Sequence, residues 1–245
     1  MPFIVLSLLV QVALVVHIIK TGRNTTWIWI VVMLPAAGSI AYVIIELLPE
    51  IMGSRTARKA SKTVGEIINP NKDINSAAQE YAISDNVSNT QRLAEECMNK
   101  GMYQEAKKFY EKSLSGIHED DPDILFGLAN AEFKLDNFSQ SKHLLNQLIE
   151  KNPDYKNQEA HLLFARTVEA LGEIPLAMEE YDVLARYYSG AEAKYRYAAL
   201  LQQQGKSEDA NGLLIDIVNL SKRSGKHYQS LNKKWITLAK KQLGS

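Results

Sequence analysis

"LFGLANAEFKLDNFSQSKHLLNQLIEKNP" (Leu125–Pro153) holds the pattern on which the fold turns. Leu128 is followed directly by Ala129, Asp136 comes seven residues after that alanine, and Ser141 precedes Leu145 by four. Apolar residues three and four apart share one helix face, so the stretch reads as two amphipathic helices joined at Asp136. A small residue such as Ser141 belongs where two helix axes cross closely. The bulky Leu145 then fills the gap to whatever packs next. Aspartate tolerates the backbone geometry of a tight turn.

Three further windows follow the same plan: Thr90–Leu114, His161–Ala185 and Lys194–Val218. The large-then-Ala pair is Leu93–Ala94, Phe164–Ala165 and Tyr197–Ala198, and the turn residues are Gly101, Gly172 and Gly205. Small residues open the second helix at Ala106, Ala177 and Ala210, each with a bulky residue four places on (Tyr110, Tyr181, Leu214). With Ser141 included, the small residues are 35, 36 and 33 residues apart. A helix–turn–helix period of about 34 is that of the tetratricopeptide repeat. The sequence therefore predicts four such repeats over 89–220, with Asp121 an N-cap and Pro122 at the first helical position. "HYQSLNKKWITLAKKQL" predicts one more amphipathic helix, with Leu231, Trp235, Leu238 and Ala239 on one face. Repeat arrays need a solvating end cap, so 221–245 is read as a basic capping helix. From Leu220 onward there are seven basic residues and no acidic one, Lys233 and Lys234 among them.

The N-terminal part is different in kind. Pro2–Ile19 holds thirteen Leu, Ile, Val or Phe residues and no formal charge, and Trp27–Leu48 is uncharged until Glu46. Each approaches the ~20 apolar residues that cross a bilayer as a helix, so 1–48 is expected to be a two-span transmembrane hairpin. A cleaved signal peptide is the competing reading. It is disfavoured because no Lys or Arg precedes the apolar run and "HIIK", not a small-residue cleavage site, follows it. Ala37 and Ala41 beside Gly38 make a small-residue surface for close helix contact. Pro35 frees a backbone carbonyl, and Gln11 is placed to hydrogen-bond across the contact. Lys20 and Arg23 lie in the connecting loop, against Arg55, Arg58, Lys59 and Lys62 after the second span, which favours a cytoplasmic tail. Residues 49–88 read as a basic linker with one short helix. Its basic residues Arg55, Arg58 and Lys59, like Lys233 and Lys234, are candidates for contact with anionic head groups.

The interfacial tryptophans, "LPAAG" and "IAY" after a short basic loop resemble the N-terminal membrane hairpin of the cardiolipin synthase and phospholipase D-nuclease family. That family's catalytic motif is His-x-Lys followed four residues later by Asp. The five histidines here read "HIIK", "HEDD", "HLLN", "HLLF" and "HYQS", so the resemblance does not extend to phosphatidyl transfer. The whole layout resembles proteobacterial membrane-anchored tetratricopeptide-repeat proteins. The fold class expected is all-α: transmembrane hairpin, four-repeat α-solenoid and C-terminal cap.

The resemblance to the repeat family implies a concave groove lined by the first helix of each repeat. Carried over residue by residue, the lining includes Gln91, Glu95 and Met98, then Phe126, Asn130, Phe133 and Lys134, then Leu162, Arg166 and Glu169, then Tyr195, Ala199 and Gln202. Phe126, Asn130, Phe133, Lys134, Arg166 and Tyr195 are the candidate partner-binding residues. Gln91 and Glu95 do not match the basic carboxylate clamp of the chaperone-binding members. With 28 basic and 28 acidic residues the chain shows no electrostatic footprint for nucleic acid. No nucleophile sits beside a histidine and no glycine-rich phosphate loop is present, so no catalysis, cofactor, metal or small-molecule substrate is expected. "HEDDPD" (His118–Asp123) reads as a loop and helix cap, and the lone Cys97 as a small core residue. The leading expectation is an inner-membrane adaptor holding a protein or peptide partner in the groove. The alternatives are a regulatory subunit of an envelope or phospholipid-metabolism complex that acts through its hairpin, and a module that touches anionic lipid.

Overall fold

The computed structural model describes residues 2–47 and 70–244. Two compact units divide the chain, Met1–Lys72 and Asp73–Ser245.

In the first unit, α1 (Pro2–Thr21), whose side chains are described from Leu8 onward, is followed by α2 (Thr26–Met33), α3 (Pro35–Tyr42) and a π-helical turn, Val43–Leu47. Among the described residues no helix is long and apolar enough to cross a membrane. The second apolar stretch is not one span, which corrects the hairpin expectation. It breaks at Leu34 (φ −121°, ψ 75°), and α3 turns back against α2. Gly38 permits this, since a Cβ there would stand 2.2 Å from the Ile30 carbonyl oxygen. Pro35 has no N–H to give Val31, four residues earlier. The Gln11 side chain donates to that Val31 carbonyl at 3.0 Å. Glu46 returns beside the loop, paired with Arg23 and accepting from Trp27 Nε1 at 3.0 Å. His17 Nδ1 lies 3.1 Å from the Tyr42 hydroxyl, and Leu14, Ile18, Val31 and Tyr42 form the small core. Ala37 is exposed and Ala41 half-buried. Arg55, Arg58 and Lys59 lie outside the described residues.

The second unit is an all-helical array: α4 (Lys72–Ile83), α5 (Val87–Asn99), α6 (Tyr103–Ser113), α7 (Pro122–Lys134), α8 (Phe138–Lys151), α9 (Gln158–Ala170), α10 (Ile174–Tyr187), α11 (Glu192–Gln203), α12 (Ser207–Arg223), α13 (Lys226–Leu231) and α14 (Lys233–Leu243). Ala106, Ser141, Ala177 and Ala210 are all fully buried, where paired helices cross. Tyr110, Leu145, Tyr181 and Leu214 are at most 5% exposed. The four turn residues share the left-handed conformation, Gly101, Gly172 and Gly205 at φ 73° to 78° and Asp136 at 61°. Serine replaces alanine at 141 because its hydroxyl is satisfied, donating to the Ala129 carbonyl at 2.9 Å and meeting Thr167 Oγ1 at 3.3 Å.

Both ends of this unit differ from expectation. The short helix placed in the linker is α4, and it belongs to the array: Ala77 is fully buried in the main core, with Ile74 and Tyr81 packed against it. The Tyr81 ring meets Phe109 edge-on at 5.4 Å. At the other end the single capping helix is two, broken at Asn232. The Asn232 Oδ1 accepts from the Ala191 N–H at 2.7 Å while Nδ2 donates to the Tyr228 carbonyl at 3.1 Å. Ile236 and Ala239 of α14 are buried on α12, whereas Leu231, expected on the same face, is 71% exposed.

Candidate functional site

The groove is lined by α5, α7 and α9, and the starts of α7 and α9 are tied together. Asp121 caps α7 by accepting from the N–H groups of Asp123 (3.0 Å) and Ile124 (3.1 Å). Asn157 caps α9, accepting from Glu159 (2.9 Å) and Ala160 (3.2 Å). The Tyr155 hydroxyl links the two starts. It donates to Asp123 Oδ1 at 2.7 Å and accepts from Asn157 Nδ2 at 2.8 Å. These bonds fix how far apart the two helix faces stand.

Two adjacent cavities occupy the groove. The first, about 510 Å³, is lined by Gln91, Glu95, Met98, Tyr110, Asp121, Asp123, Phe126 and Asn130, among others. The second, about 180 Å³, is lined by Phe126, Asn130, Lys134, Glu159, Leu162, Leu163 and Arg166. Thus Phe126, Asn130, Lys134 and Arg166 come together, and Phe126 and Asn130 border both spaces. Asn130 and Lys134 make no hydrogen bond or ion pair among the described residues, so both are open to a ligand. Partial desolvation raises the pKa of the otherwise exposed Glu95 from its ordinary value, and the charges of Glu96 and Asp123 add to the shift.

Two of the expected groove residues are engaged elsewhere. Phe133 lies under the Arg166 guanidinium, 4.7 Å from ring to Cζ, and edge-on to Phe138 at 5.3 Å. Tyr195 packs against Trp235 of α14, the rings tilted by 42° with centroids 5.4 Å apart, while Gln242 bonds Gln202, so the cap helix covers the fourth-repeat wall. Arg166 stands 3.6 Å from Glu192, and its Nε is buried without a hydrogen-bond partner. Beyond it Glu192 accepts from Arg196 Nε at 2.7 Å, and Glu169 accepts from Arg196 (3.2 Å) and the Tyr181 hydroxyl (2.5 Å). Burial, and then the Glu169 charge, push the Tyr181 phenol far up. The exposed Lys233 and Lys234 flank this end, Lys234 Nζ lying 4.4 Å over the Trp235 ring. Sequence reasoning did not place Asp123, Tyr110 or Asn157 on the groove. The Asp121-Pro122 pair marked a helix start, not which wall it faces.

A larger cavity, about 760 Å³, lies between α8, α9 and α10 over Leu145, Leu148, Ile149 and Phe164. Three of its polar groups engage one another, His161 contacting both Glu180 and Tyr187 at 2.5 Å. It therefore offers less for a polar ligand to grip than the groove does. Among the described residues no three His, Cys, Asp or Glu side chains are grouped to hold a metal ion.

A tetratricopeptide repeat family model matches residues 98–156. The array is a tetratricopeptide-type solenoid. Among solved structures, a crystal structure of MamA aligns at 17% identity over 65% of this chain and 90% of its own, with a TM-score of 0.50. MamA AMB-1 aligns at 17% identity over 62% and 97%, again at 0.50. YrrB, described as a TPR protein with an unusual peptide-binding site, aligns at 19% identity over 65% and 80%, at 0.47. No curated protein matches the chain.

Proposed function

We propose that this protein is a membrane-held adaptor whose solenoid groove binds an extended segment of a protein partner. One observation carries the binding half: Asn130, with no partner of its own, stands beside Phe126, Lys134 and Arg166 at the junction of two cavities. An amide can pin a peptide backbone, an aromatic ring offers apolar contact, and the two cations suit carboxylates. Affinity capture from mild detergent tests it: Asn130→Ala with Arg166→Ala should release the bound protein, and retention by the double variant refutes groove binding.

The membrane half rests on the first unit. Leu8, Leu9, Val12, Ile19, Trp29, Val32, Met33, Ile44 and Ile45 are all more than half exposed. A surface so apolar suits lipid rather than water. The fold-back sets Glu46 beside Arg23, so the described part of this unit ends on the side of the loop that carries Lys20 and Arg23. In the sequence, Arg55, Arg58, Lys59 and Lys62 after the apolar stretch outnumber Lys20 and Arg23 in the loop, which favours a cytoplasmic array at a bacterial inner membrane. A reporter at the C-terminus reading external exposure overturns that placement, and release of the chain by carbonate washing overturns anchoring.

A second reading, contact of α14 with anionic head groups, is favoured by its lysines: Lys233, Lys234, Lys240 and Lys241 are all exposed. Cardiolipin-containing liposomes should capture the chain at low salt more strongly than neutral ones, and Lys233→Glu with Lys240→Glu should remove the difference. Equal capture refutes it.

A further inference from the structure

We propose that the groove selects a partner segment whose charges are segregated, its cationic end lying in the cavity of Glu95 and Asp123 and its anionic end against Lys134 and Arg166. This rests on the groove-binding reading above and adds the chemistry of what is bound.

The first cavity is lined by three carboxylates, Glu95, Asp121 and Asp123, and by no lysine, arginine or histidine. Asp121 is committed to capping α7 and Asp123 accepts from Tyr155. Glu95 has no hydrogen bond or salt bridge among the described residues, yet Glu96 and Asp123 both repel its charge. A cation arriving from outside relieves that repulsion. The second cavity has the opposite balance. Lys134 is unpaired and exposed, and the Arg166 guanidinium, its Nε 3.6 Å from Glu192, adds a second cation to the lining, so a carboxylate there meets net positive charge. Its one carboxylate, Glu159, is met by the Tyr188 hydroxyl at 3.1 Å. Phe126 and Asn130, uncharged and shared by both cavities, separate the two fields. A uniformly acidic segment meets Glu95, and a uniformly basic one meets Lys134 and Arg166. The groove thus rejects both by like-charge contact, which sets specificity as much as attraction does.

The test uses the full chain in mild detergent and fluorescent peptides of one length. Two share a composition, one with its lysines and glutamates in separate blocks and one with them alternating; two more are all-acidic and all-basic. Anisotropy at low salt should show the blocked peptide bound about tenfold more tightly than the alternating one, the scale expected of a few solvent-exposed ion pairs. Glu95→Lys, at an exposed position, should weaken the blocked peptide about tenfold and strengthen the all-acidic one. Equal binding of blocked and alternating peptides, or a Glu95→Lys variant that leaves the ranking unchanged, overturns the inference. If all four bind alike and Asn130→Ala releases them all, charge selection falls while the groove stands. If none binds, both fall.

Discussion

Replacing Gly127 by alanine should destabilise the solenoid, although the change favours a helix locally. Gly127 lies inside α7, where alanine is better than glycine by about 1 kcal/mol. Against this, its Cβ would stand 2.5 Å from Cε1 and Cζ of Tyr110 and 2.9 Å from the hydroxyl oxygen. Comfortable carbon contacts are about 3.5–4 Å, so the ring must move by roughly 1 Å. Tyr110 is only 5% exposed, and its ring is held between the first two repeats, so it cannot swing aside without opening their contact. Overpacking of this kind costs about 1–3 kcal/mol, leaving a net loss of about 1 kcal/mol. Urea unfolding of the full chain in mild detergent, followed by circular dichroism, measures it. A Gly127→Ala/Tyr110→Leu double variant should be more stable than the sum of the single losses by about 1 kcal/mol, since the smaller side chain makes room. The reasoning is refuted if Gly127→Ala alone is as stable as the parent, or if the double variant is merely additive.

Other outcomes follow from single contacts. Glu132 is 2% exposed and paired with Lys107 at 2.9 Å, so Lys107→Met should cost about 1–3 kcal/mol by leaving a buried carboxylate with no countercharge and only the Asn137 amide as partner, whereas Lys107→Arg should cost less; equal midpoints for the two variants refute this. Asn232→Leu removes the acceptor of the Ala191 N–H and should speed amide exchange in α13 and α14 before the earlier repeats; uniform exchange refutes it. Burial raises the phenols of Tyr110 and Tyr181 above their ordinary 10.0. The folded state therefore holds these protons more tightly than the unfolded chain, so stability is fully present below pH 10 and should fall as pH rises beyond it. Phenolate absorbance should then appear in step with loss of helix, and smooth titration before unfolding refutes it. Gln11→Leu should weaken the first unit by about 1–3 kcal/mol, because the Val31 carbonyl loses its donor; unchanged resistance to detergent denaturation refutes it.

The solenoid was legible because its rules are local and recur. The Ala106, Ser141, Ala177 and Ala210 series and its turn residues each need only a short window to be recognised, and Asp136, the non-glycine of the set, takes the same left-handed geometry at φ 61°. The reversal within the second apolar stretch was missed because hydropathy counts apolar residues and says nothing of their direction. A break at Leu34 and a missing Cβ at Gly38 reverse the chain without altering its greasiness. The end of α13 depends on an Asn232 bond to a residue 41 positions earlier, which no local pattern carries. The groove shows the same division. Asn130, Lys134 and Arg166 follow from repeat register, whereas Tyr195 under Trp235 and Asp123 tied to Tyr155 are products of packing between repeats.

The position of α4 has a practical consequence. A fragment beginning at the first repeat's own helices, near Asn89, would strip Ala77 and Tyr81 from Phe109 and leave a raw greasy end on the stack. Such a truncation invites clumping that would pass for weak or promiscuous partner binding. Cutting upstream of Lys72 keeps the lid on, and only then do tether-free measurements speak about the concave face alone.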